Sequence, residues 1–234
     1  MLQGQREYNF SHLGMEEGFT NSRANAIIQD QKGFMWVGTW NGLNRYDGYN
    51  CVTYLPNFHD STSISNREIV ALLEDSKGRI WIGTTNGLSC LTPETGKIKN
   101  YEFSNRILSL FEDKNSCIWI GTWGGGLYSL VPSNGKIRHY LGNDIVSDIY
   151  IDSRNIFWVA SFYGFMKFDR ETGNSIRFLP QKDKNSISHS AVTQIAETTN
   201  GKLWVGTWGG GLNKVDVFQN GDSLHFSHYN NIEV

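Results

Sequence analysis

Gly78-Arg-Ile-Trp-Ile-Gly-Thr-Thr-Asn-Gly-Leu88 decides the fold, because near copies of it stand at four other places. They are GFMWVGTWNGL at Gly33–Leu43, SCIWIGTWGGGL at Ser116–Leu127, NIFWVASFYGF at Asn155–Phe165 and GKLWVGTWGGGL at Gly201–Leu212. Their leading tryptophans are Trp36, Trp81, Trp119, Trp158 and Trp204, separated by 45, 38, 39 and 46 residues. A period of this size marks an array of one small structural unit.

The second unit parses into four strands. Ile69–Glu74 is apolar and β-prone, and Asp75–Gly78 is a turn. Ile80–Thr84, Leu88–Leu91 and Lys97–Phe103 follow, divided by Thr85–Gly87 and Pro93–Gly96. Short strands bounded by turn residues form an antiparallel meander. One such sheet cannot bury both faces, whereas sheets stacked around an axis bury them all. The predicted fold is therefore an all-β β-propeller with five four-stranded blades, first strands innermost. The blades fall at about 19–56, 64–104, 105–142, 143–180 and 187–230 of a single domain spanning 1–234.

Other positions repeat with the tryptophan. An aspartate stands six residues earlier as Asp30, Asp75, Asp113 and Asp152, with Thr198 in the fifth copy. Its expected role is capping the turn, in preference to calcium, since the loop lacks the doubled acidic ligands of a calcium loop. Two residues after the tryptophan come Gly38, Gly83, Gly121, Ala160 and Gly206, where a neighbouring element must approach closely. The five tryptophans are expected to fill the gaps between blades.

Composition narrows function. The net charge is −2 with acids and bases interspersed, so no cationic face for nucleic acid stands out. No apolar run is long enough to cross a bilayer, and MLQGQREYNF has no apolar signal core. Cys51, Cys90 and Cys117 are odd in number, match no zinc spacing and read as small packed residues. Neither GxSxG nor HExxH occurs, and the six histidines share no ligand spacing between units. The runs Gly124–Gly126 and Gly209–Gly211 lack the helix and lysine of a phosphate loop. No catalytic residue, metal or cofactor is expected.

The pattern V/I-x-x-I/L-x-x-D-x-x-G-x-[IL]-W-[IV]-G-T-x-x-G-L, best seen at Ile69–Leu88 and Ile107–Leu127, resembles the two-component regulator propeller repeat. The opening from Tyr8 to Asn50 and the stretch FHDSTSISNREIV resemble the start of the sensor region in Bacteroides-type hybrid two-component systems. The resemblance covers nearly the whole chain. It implies a periplasmic, non-catalytic sensor of a glycan or its breakdown products, coupled to a histidine kinase outside this sequence. It also implies two seven-bladed propellers and a β-sandwich in the parent protein. VASFYGF in the fourth unit departs from the pattern.

The count of five raises the question of ring closure. Residues 8–13 (YNFSHL) resemble an outer strand that completes a last blade, yet the fifth unit carries its own near Ser223–Tyr229. The favoured expectation is an open arc belonging to a larger propeller. The alternative is a closed five-bladed ring.

Function is then sought at one axial end, where the second-to-third and outer-to-inner loops meet. Trp40, Trp123, Phe162 and Trp208 recur at one loop position, with Thr85 in the second unit. Asn41, Asn86 and Tyr163 follow them, and Arg23, Arg67, Arg106 and His189 approach the same rim, as do Asn66, Asn105 and Asp144. Aromatic faces stack on sugar C–H faces, and the polar groups bond hydroxyls. Packing against the next blade is the competing reading of the same aromatics. Expected partners are an oligosaccharide, the remaining parts of the parent and a homodimer mate. The alternatives are an interaction scaffold within a sensor dimer and a small propeller lectin or glycosidase.

Overall fold

Each quoted phrase folds as the second strand of a meander, its turn and the start of the third strand. The computed structural model describes residues 10, 12–57 and 59–229. Blade 1 holds β1 (Ala24–Gln29), β2 (Met35–Thr39), β3 (Gly42–Tyr46) and β4 (Cys51–Tyr54). Blade 2 holds β5 (Ile69–Glu74), β6 (Ile80–Thr84), β7 (Leu88–Thr92) and β8 (Lys97–Tyr101). Blade 3 holds β9 (Ile107–Glu112), β10 (Ile118–Thr122), β11 (Leu127–Val131) and β12 (Lys136–Tyr140). Blade 4 holds β13 (Val146–Ile151), β14 (Phe157–Ser161), β15 (Gly164–Phe168) and β16 (Ser175–Phe178). Blade 5 holds β17 (Val192–Glu197), β18 (Leu203–Thr207), β19 (Gly211–Phe218) and β20 (Ser223–Tyr229). Within every sheet the strands lie in chain order, and all pairs are antiparallel.

The turn aspartates do more than cap. Asp75 Oδ1 accepts the backbone N–H groups of Lys77 and Arg79, and Oδ2 accepts the indole N–H of Trp81 at 2.7 Å. The same indole bond joins Trp36 to Asp30 (2.8 Å), Trp119 to Asp113 (2.8 Å) and Trp158 to Asp152 (2.9 Å). Each buried ring is thus fixed at its one polar atom. The turn residue three before each tryptophan takes a positive φ even where it is not glycine, at Ser116 (56°) and Asn155 (65°). Asparagine tolerates this conformation, and the Asp113 carboxylate holds Ser116's turn by bonding the N–H of Asn115 and Cys117.

Blades pack through their inner strands in succession, β1 on β5, β5 on β9, β9 on β13 and β13 on β17. The small residue after the tryptophan makes this possible. A Cβ on Gly38 would stand 2.5 Å from Ile69 Cγ2, and one on Gly83 2.6 Å from Ile107 Cγ2. Trp36, Trp81, Trp119 and Trp158 each join a buried cluster shared with the following blade.

The arc is open. Among the described residues no comparable packing joins β17 to β1, and Ile27 on β1 is 58% exposed. A Cβ on Gly206 would meet nothing nearer than Thr193 Oγ1 of its own blade, at 3.5 Å. Trp204 departs from the expectation that all five tryptophans fill a gap between blades: it is partly exposed and leans on Tyr229 of its own blade. The physical reason is that among the described residues no sixth sheet covers it, and Thr198 offers no carboxylate to its indole. The outer strand of blade 5 forms as expected at Ser223–Tyr229, whereas the N-terminal strand expected over 8–13 lies largely outside the described residues. All three cysteines are free thiols, and burial pushes those of Cys90 and Cys117 up to about 11.

Candidate functional site: an aromatic rim

The threonine that ends the second strand builds the rim loops. Thr39 Oγ1 donates to the Gly42 carbonyl (2.9 Å) and accepts the Asn41 N–H (3.1 Å). Thr84 does the same with Gly87 and Asn86, and Thr122 and Thr207 donate to Gly126 and Gly211. Ser161 accepts the Tyr163 N–H in blade 4. The residue after this hydroxyl is then tied by its own N–H to the strand entering the same blade. Trp123 bonds the Arg106 carbonyl (2.8 Å), Phe162 that of Ile145 (3.1 Å), Trp208 that of Ala191 (2.8 Å) and Trp40 that of Arg23 (3.3 Å). Backbone geometry therefore sets four aromatics at one axial end.

Three of them touch. Trp123 and Phe162 lie edge to face at 5.5 Å between centroids, and Phe162 lies 6.4 Å from Trp208. Trp123 is 50% and Trp208 71% exposed, so each offers a face to solvent. Trp40 stands apart because Thr85 interrupts the row in blade 2. Its indole N–H donates to Asn25 Oδ1 (3.0 Å), and the Arg23 guanidinium covers its ring at 4.2 Å.

The polar candidates divide in the same way. Arg106 is committed to Glu68 across the junction of blades 2 and 3 at 2.9 Å. Asp144 is buried and paired with Arg177 at 2.7 Å, and that arginine also donates to the Tyr163 carbonyl. Asn105 donates to the Trp123 carbonyl, and Asn66 bonds the Glu68 N–H and Thr85 Oγ1. His189 Nδ1 accepts the Ala191 N–H, and its side chain remains exposed. Arg67 gives its carbonyl to the Gly42 N–H and leaves its side chain exposed, as are Asn86 and Tyr163. Asn41 is partly buried.

One rim contact escaped the sequence reading. His139 stacks on Tyr128 at 4.4 Å and bonds the Gly125 carbonyl through Nε2 at 2.7 Å, bracing the glycine loop beside Trp123. Its only sequence signal is the i, i+2 alternation of the polar outer strand.

Known proteins carry the same repeat. Residues 18–41, 63–86, 101–124 and 186–209 match the family described as two component regulator propeller, and the divergent phrase of blade 4 lies outside these segments. A 49-residue stretch is 47% identical to histidine kinase P4 of Formosa agariphila, covering 21% of this chain and 4% of the kinase. Among solved structures, the extracellular domain of the proposed one-component system BT4673 from B. thetaiotaomicron is 25% identical with a TM-score of 0.51. That alignment covers 91% of this chain and 36% of the domain, so the chain spans about a third of it. The β-propeller domain of Cps50 (Swd1) from Myceliophteria thermophila is 10% identical with a TM-score of 0.67, over 93% of this chain and 73% of that one. This last likeness is one of fold alone. The repeated phrases, the five meander blades and the matched segments show a propeller in which blades 1, 2, 3 and 5 carry the two-component regulator repeat.

Proposed function

We propose that the chain is the saccharide-reading part of an extracytoplasmic sensor in a hybrid two-component system, binding its ligand without catalysis. The observation that carries this reading is the contiguous row of Trp123, Phe162 and Trp208, half or more exposed at both ends and held by backbone bonds. Large rings fixed in this way lose little freedom on binding and present apolar faces to the C–H side of a sugar. His189 and Asn86 stand exposed on the same rim to bond hydroxyls. The signal would pass to a kinase carried elsewhere. Screening the folded chain on a glycan array, followed by calorimetry on any hit, tests the proposal. No saccharide bound by folded protein refutes it for this chain.

A second reading, an interaction scaffold, has its own support. The outward face of blade 5 exposes Leu212 and part of Trp204 where the other blades are covered. Further sheets or another subunit would bury that face. Light scattering of the chain across a concentration series separates a self-associating surface from an inert one.

A further inference from the structure

Three of the four blade junctions are closed by one clamp at the end opposite the rim. The residue after the turn aspartate donates its backbone N–H to a glutamate ending the next blade's inner strand. Gln31 bonds Glu74 (3.0 Å), Ser76 bonds Glu112 (2.6 Å) and Ser153 bonds Glu197 (2.9 Å). Ser76 and Ser153 add their hydroxyls to the same carboxylates. At the junction of blades 3 and 4 these places belong to Lys114 and Ile151. The isoleucine side chain accepts no hydrogen bond; farther out at the same junction, between β12 of blade 3 and β15–β16 of blade 4, lies a groove of about 830 Å³. That is the size of a small-molecule site, roughly 300–1,000 Å³.

The groove has an apolar floor and a cationic wall. Tyr140 and Ile156 are partly buried along the floor, and Gly173 from the blade 4 turn closes over the tyrosine ring. Lys136 and Arg138 alternate on β12, so both point to one side, and both line the groove. Among the described residues neither forms an ion pair, whereas Lys167 on the opposite wall is paired with Asp222. Most acids nearby are already engaged. Asp113 holds the Trp119 indole, and Asp169 holds the Glu171 N–H and the Thr172 hydroxyl. Arg170 lies 3.9 Å from Asp113, and Asp169 and Glu171 also line the groove, but among the described residues neither of these two acids comes within ion-pair distance of Lys136 or Arg138.

We propose that this groove is a second binding site, separate from the rim, for a small ring compound bearing a carboxylate or sulfate. Lys136 and Arg138 hold the acid group, and the ring lies against Ile156 and the uncovered edge of Tyr140. Sugar acids and aromatic acids share this chemistry. The test is calorimetry of the full chain with digalacturonate, with 4-hydroxybenzoate, with an uncharged analogue of each, and with inorganic sulfate. At least one ring acid should bind, its uncharged analogue at least about tenfold more weakly. The Lys136→Gln/Arg138→Gln double variant should lose about tenfold or more in affinity with its melting temperature kept, and Trp208→Ala should lose none. Raising the salt from about 0.05 to about 0.5 M should weaken the wild-type complex as well. The proposal is overturned if neither ring acid binds, if the uncharged analogues bind equally, or if the double variant keeps its affinity. Sulfate alone binding as tightly as the ring acids also overturns it.

Discussion

The carboxylate of Asp75 sits 2.7 Å from the indole nitrogen of Trp81, with Arg79 on the same oxygen. The aspartate is buried, and burial alone raises its pKa. The bonds from Arg79, Trp81 and the backbone outweigh that and hold it below the ordinary carboxylate value. Asp75→Ala should therefore destabilise the chain by about 2–3 kcal/mol in urea titration, because it strands a buried indole N–H and a cation. In blade 5 the reverse experiment is available. Thr198→Asp supplies the missing acceptor to Trp204 and should add about 0.5–1 kcal/mol.

The same pair predicts a pH dependence. A carboxylate whose folded pKa is depressed stabilises the fold above its unfolded pKa of about 4, and that contribution disappears as pH falls through the folded value. Asp148 carries the opposite sign. Burial raises its pKa, against bonds from the Gln194 side chain and the Ile195 N–H of blade 5. Its ionisation costs stability as pH rises through the folded value. Asp148→Asn should thus gain stability relative to wild type between about pH 4 and 7, while Asp75→Asn loses most above about pH 4. Thermal melts across that range, read as differences from wild type, check both signs.

Much of this was legible. Five phrases at one period named the fold, and the second strand, its turn and the third strand fell where the second unit placed them. The indole bond escaped notice although its signal was present: aspartate and tryptophan recur six residues apart, and only the hairpin register shows that they meet. The glutamate clamps were visible too, as Glu74-Asp75 and Glu112-Asp113, yet their partners lie in the preceding blade. No local pattern announces such a contact. The rim positions could be read, whereas the joining of Trp123, Phe162 and Trp208 into one row depends on the rotation between blades. The groove beside Lys136 lies between the outer strands of blades 3 and 4, and no periodicity within either blade records how far those strands stand apart.

Blade packing yields a paired prediction for the open arc. Gly83→Ala should cost about 1–3 kcal/mol, since its Cβ would stand 2.6 Å from Ile107. Gly206→Ala should be nearly neutral, with nothing closer than 3.5 Å. Equal losses at both sites would mean that another sheet covers blade 5 in solution.

The tryptophans should divide likewise. Trp81→Ala removes a fully buried ring and should cost about 3–5 kcal/mol. Trp204→Ala should cost clearly less, because its ring is partly exposed at the end of the arc. Denaturant midpoints at constant slope give both values.

Amide hydrogen exchange reads the junctions one by one. The N–H groups of Ser76 and Ser153 are held by Glu112 and Glu197, and among the described residues no such acceptor faces Lys114. Lys114 should exchange faster than both under native conditions. Glu197→Ala should bring Ser153 towards the Lys114 rate. Equal protection at all three would show that the junction of blades 3 and 4 is clamped by other means.

The most direct test of the rim as a saccharide site is calorimetric titration of Trp208→Ala, with its melting temperature, against a saccharide that the wild type binds. The exposed ring contributes little packing, so affinity should fall by about tenfold while the melting temperature stays within about 2 °C of wild type. Unchanged affinity with a large drop in melting temperature would contradict the account and make the aromatic row a packing device.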